Sequence, residues 1–141
     1  MALMAGLGIL AAAVVVIATR PRADSHPAAL AFDSVRLAAE LIRLRIDGGD
    51  SGAHRRALKE AALQLQDRTL SRALVAFADG KLEEAAREPA ENPFERGVRG
   101  WVLVELGRRP EAAEELRRAL KEAQPDWEYR PLFESALRKA E

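Results

Sequence analysis

His26 and His54 are the only two histidines of the chain, and they stand 28 positions apart. Zinc hydrolysis would want such residues four apart on one helix face, with a glutamate between, or completed by cysteines. The chain has no cysteine, so thiolate metal sites, thiol nucleophiles and disulfides are all missing. The acid pairs Glu83/Glu84 and Glu114/Glu115 are the nearest approach to a general acid and base. Neighbouring positions on a helix point about 100° apart, however, so each pair fits a solvated surface better than a shared reaction centre. The stretch DGGDSG, Asp47–Gly52, has the glycines of a phosphate loop but neither its lysine nor a strand before it. These residues give no catalytic group, no cofactor site and no metal site, and an enzyme is not expected.

Charge removes another class. The chain has 22 basic and 22 acidic residues, with both signs interspersed, so no basic stripe exists to neutralise a phosphate backbone. Nucleic acid is not an expected partner.

With catalysis set aside, the helices themselves become the subject. Ala2–Thr19 carries no charge, and as a helix of 1.5 Å rise per residue it would reach roughly 27 Å, just enough for a bilayer core of about 30 Å. Residues 1–19 therefore read as a single-pass transmembrane helix, with residues 2–19 in the membrane. A cleaved signal peptide is the alternative, although the basic n-region it needs is absent; it would leave the rest extracytoplasmic or secreted. Arg20 and Arg22 follow the run directly and place the C-terminal domain in the cytoplasm if the helix is retained. Gly8 and Ala12 form one small-xxx-small pair through which two anchors can approach, compatible with a homo-oligomer or a membrane complex.

Residues 20–27, RPRADSHP, read as a linker, and residues 28–141 as an all-α domain with no strand alternation anywhere. Its first helix runs to about Ile46 and stops at DGGDSG. Leu58, Ala62 and Leu65 define the stripe of the next, but the following apolar positions are Leu70, Leu74 and Phe77, which slip register near Asp67 and require two helices. Gly80 ends the second of these, and Lys81–Arg87 is a short helix stopped by Pro89. Asn92, Pro93 and Glu95 supply an N-cap, a first-turn proline and a capping-box acid for a helix ending at Gly107. Pro110 opens the next, on which Glu114 and Arg118 are spaced to pair. A last helix covers about Glu128–Lys139.

Two stretches repeat. Ala73–Arg87 and Gly100–Leu116 each read as an apolar helix, a glycine, two or three residues and then Glu-Ala-Ala. Hairpins of this kind bury their apolar faces by stacking, the signature of a solenoid. The second copy resembles a tetratricopeptide (TPR) repeat over 93–126: Gly100 inside the first helix, Gly107 at the turn, Ala112, Leu116 and Ala119 down the second helix, and Pro125 after it. Arg96 and Arg99 depart from the pattern, standing where the family has a large apolar pair. The turn glycines Gly80 and Gly107 are 27 apart, short of the 34-residue period.

The resemblance, to the membrane-anchored bacterial type of the family, implies an N-terminal transmembrane helix followed by a short TPR-like helical-hairpin solenoid. In TPR proteins the concave surface comes mainly from first helices, which here would give a partner-binding groove of Leu70, Leu74, Phe77, Phe94, Gly97, Trp101 and Glu105. The family's Lys/Asn carboxylate clamp is absent, so the expected occupant is an apolar helix or extended peptide of a protein partner. Phe94, Trp101, Trp127, Tyr129 and Phe133 cluster late in the chain, either filling the last hairpin or offering aromatic anchors. The implied role is a membrane-anchored adaptor for protein–protein interaction or complex assembly. A small structural subunit of a larger membrane complex is the alternative.

Overall fold

A computed structural model describes residues 27–48 and 52–141, which form seven helices and no strand. They are α1 (Pro27–Ile46), α2 (Gly52–Leu63), α3 (Arg68–Ala78), α4 (Leu82–Arg87), α5 (Pro93–Glu105), α6 (Arg109–Glu122) and α7 (Arg130–Ala140). A boundary between two units falls at Leu30/Ala31, and all the packing that follows lies within Ala31–Glu141. The anchor expected at 1–19 and the linker at 20–27, Pro27 apart, lie outside the described residues. Among the described residues no helix is long and apolar enough to cross a membrane.

The α2–α3 break sits where the apolar stripe slips. Gln64 and Leu65 donate to carbonyls only three residues back, which tightens and ends α2. Asp67 then caps α3, its side chain accepting from the Leu70 N–H at 3.0 Å. Asn92 caps α5 in the same way, accepting from Glu95 N–H at 2.9 Å. Glu95 reaches back to the Glu91 N–H rather than to that of Asn92 itself.

Helices α3/α4 and α5/α6 form two hairpins with the same turn. Gly80 and Gly107 both have φ +79°, a left-handed conformation that glycine adopts without strain. Lys81 N–H donates to Ala76 C=O at 2.8 Å and Arg108 N–H to Leu103 C=O at 2.9 Å, the six-to-one bond of a Schellman turn in each case. Every partner in one turn lies 27 positions from its counterpart in the other.

The hairpins stack in two layers. Helix α3 packs on α5 and α5 on α7; α4 packs on α3 and α5, while α6 packs on α5 and α7. The closest joint is α5 on α6. A β-carbon added at Gly100 would meet Leu116 Cγ at 2.6 Å and the Ala112 carbonyl at 3.3 Å, so the missing side chain sets the interhelical distance. Arg99 binds Glu115 through two nitrogens, at 3.1 and 2.8 Å, and Arg96 binds Glu122 at 2.8 Å. The two arginines thus supply ion pairs where the repeat pattern has apolar contact. The expected Glu114–Arg118 pair does not form: Arg118 turns one helical turn onward to Glu122 at 3.2 Å.

Candidate interaction site

Most residues expected to line an open groove are inside. Leu74 is fully buried, Trp101 is 1% exposed, and Leu70, Phe77 and Gly97 are also buried. Phe94 and Glu105 are partly buried. Two elements close the surface. Phe133 of α7 occupies the notch at Gly97, where an added β-carbon would lie 2.5 Å from its ring. The aromatics Phe94, Trp127, Tyr129 and Phe133 then interlock around that ring, with centroids 5.0 to 6.5 Å apart. Phe77 and Trp101, from successive hairpins, meet at 4.2 Å between ring centroids.

The second element is α1. Its Ala38, Ile42 and Ile46, spaced four apart on one face, are buried in the same cluster as Phe77 and Trp101. Arg45 pairs with Glu105 at 2.9 Å, both side chains about one-quarter exposed or less. Arg36 lies 3.5 Å from Glu128, just before α7. Tyr129 feels the same corner: burial holds its phenol above the ordinary value, the Glu128 carboxylate adds to this, and the Arg36 guanidinium opposes it. These two contacts tie α1 to Glu105 at the end of α5 and to Glu128 just before α7, so one expected groove residue, Glu105, is met by a helix of the chain itself. His54 of α2 reaches α1 through a ring nitrogen on the Leu41 carbonyl.

Burial leaves costs inside this arrangement. The Trp101 indole N–H has no hydrogen-bond partner among the described residues. Glu95, 8% exposed, is the one charged residue buried in the core of the described residues. Burial pushes its carboxyl up, the Glu91 N–H at 3.3 Å opposes the shift, and the carboxylates of Asp67 and Glu91 reinforce it.

A cleft of about 410 Å³ opens on the opposite layer, between α4 and α6. Helix α4 has six residues and α6 has 14, and the two do not pack on each other. Arg99 and Leu103 form the cleft floor, with Glu83 and Arg87 on one wall and Glu111 and Glu114 on the other. An exposed Arg108–Glu83 pair, 2.9 Å, bridges it. The sequence carried a signal for this cleft, the Pro89 that truncates α4, but that signal reads as a helix stop and not as a space. Among the described residues no group of three or more His, Asp or Glu side chains is placed to hold a metal.

The chain matches no family model, no curated protein and no solved structure.

Proposed function

We propose that the chain is a TPR-type adaptor, carried at a membrane by its N-terminal apolar segment with the helical domain on the cytoplasmic side, and that it holds a protein partner there. The observation that carries this reading is the repeated turn: Gly80 and Gly107 share one φ, and equivalent hydrogen bonds close both hairpins. Such repetition builds stacks whose two layers present one long face each, the arrangement helical-repeat proteins use to hold peptides and helices. Arg20 and Arg22 behind an uncharged run support the orientation.

A second reading, a small structural subunit fixed permanently in a membrane complex, draws on the burial of Leu70, Leu74, Phe77, Gly97 and Trp101. Extraction of the full chain in mild detergent, followed by sizing, separates the two. An adaptor emerges alone or as a small oligomer. A subunit emerges only in a complex of fixed stoichiometry, which would overturn the adaptor.

A further inference from the structure

Resting on the adaptor reading, we propose that the cleft between α4 and α6 is a peptide-binding site, and that its ligand is an extended segment of the partner with an arginine next to an acidic residue.

Three helices each turn one face to this space. Glu83 and Arg87 stand one helical turn apart on α4, Glu111 and Glu114 close to one turn apart on α6, and Leu103 lies four after Arg99 on the α5 floor. Both walls rest on α5 but not on each other, which leaves about 410 Å³ between them. That lies within the roughly 300–1,000 Å³ of a ligand site. The space is an open trough rather than an enclosed cavity, which suits a chain segment passing through it.

Charge decides what belongs there. At one end the Arg108 guanidinium meets the Glu83 carboxylate at 2.9 Å, so a single ion pair spans the trough. Both side chains are about half exposed, and a pair of that kind opens at little cost, so it does not bar entry. On the floor, Arg99 is taken by Glu115. Farther in, Arg87 on one wall stands against Glu111 and Glu114 on the other, and no pair closes the gap: none of these three side chains has a hydrogen bond or ion pair among the described residues. A ligand cation between Glu111 and Glu114, with a carboxylate at Arg87, would complete the row with charge-assisted bonds. A guanidinium suits two acids better than an ammonium because its fork of donors can reach both. Successive side chains of an extended segment point to opposite sides, so adjacent arginine and glutamate reach opposite walls. An anion would face the two glutamates with like charge, and an apolar segment would cover all three groups unpaired, so neither fits.

The test is isothermal titration calorimetry on the full chain in an uncharged detergent, with the blocked peptide acetyl-Ala-Ala-Arg-Glu-Ala-Ala-amide as probe. Glu111→Lys with Glu114→Lys should weaken binding about tenfold or more. No binding by the parent chain, or equal binding by the variant with the circular dichroism of both alike, overturns the proposal. Should that variant fail to fold, Arg87→Glu, at an exposed position, decides. It should weaken the probe about tenfold but leave a probe with alanine in place of its glutamate bound no more weakly. No loss, or the same loss for both probes, overturns the proposal. Detergent sizing tests the adaptor reading by itself. A chain locked in a fixed complex fails that reading whatever the calorimetry gives, and a silent titration of a free chain fails only the site.

Discussion

A β-carbon placed on Gly97 would lie 2.5 Å from Cε1 of Phe133, closer than real side chains approach. The ring cannot retreat, because Phe94 at 5.4 Å and Trp127 at 5.5 Å hold it on two sides. Gly97→Ala should therefore destabilise the domain by about 1–3 kcal/mol of overpacking, less the roughly 1 kcal/mol that removing a helical glycine returns. Phe133→Leu should relieve much of that overpacking. A urea-melt double-mutant cycle with a coupling below about 0.5 kcal/mol would show the two positions to be independent.

Trp101→Ala should cost about 3–5 kcal/mol of folding stability, the scale of a large aromatic lost from a core. Its contact with Phe77 and its 1% exposure both lead to that expectation. A denaturant midpoint within error of the parent chain would mean the indole is on the surface.

Glu95 sets the direction of the pH response. Its folded-state carboxyl titrates above the ordinary value, so its contribution is fully present below that value and is lost as pH rises through the raised one. The ionised group thus weakens the fold at neutral pH. Glu95→Gln, which keeps an acceptor for the Glu91 N–H, should raise Tm at pH 7 and make Tm less dependent on pH between neutrality and the carboxylate range. A variant that melts lower than the parent at pH 7 contradicts this.

Arg99→Ala removes one half of a pair whose side chains are only 25% and 18% exposed. Glu115 would then keep its charge beside the α5–α6 joint without its partner, at a cost of about 1 kcal/mol or somewhat more. Changing both Arg99 and Glu115 to leucine, which leaves no unpaired charge at the joint, should recover most of it. Thermal melts of the single and double variants measure the difference.

Local signals in the sequence lead to the helices and their turns. Asn92, Pro93, Gly80, Gly107 and Pro110 act through their own backbone geometry, and each stands at the end its chemistry dictates. Gly100 was legible for the same reason, since a glycine within a helix otherwise costs stability without return. The groove was not legible. Leu74, Phe77 and Trp101 lie on the face expected, but a periodic stripe states only that a face is covered, not by what. That α1 meets it at Glu105 depends on Arg45, a pairing 60 positions apart that no local pattern encodes. The Glu114–Arg118 expectation failed because spacing allowed Arg118 either Glu114 or Glu122, and side-chain direction chose Glu122.

The shortness of α4 also bears on where this chain can grow. With six residues against 14 in α6, α4 lacks about two helical turns, and two turns are close to seven residues. Adding seven residues after Arg87 would carry the helix on with every side chain still facing as before, and the new turns would run into the empty cleft. Five would rotate Pro89 and the α5 cap by about 140° and misdirect the second hairpin. Insertions here should thus be accepted by whole turns and rejected between them, which makes the α4 end the natural seam for lengthening or splicing the stack.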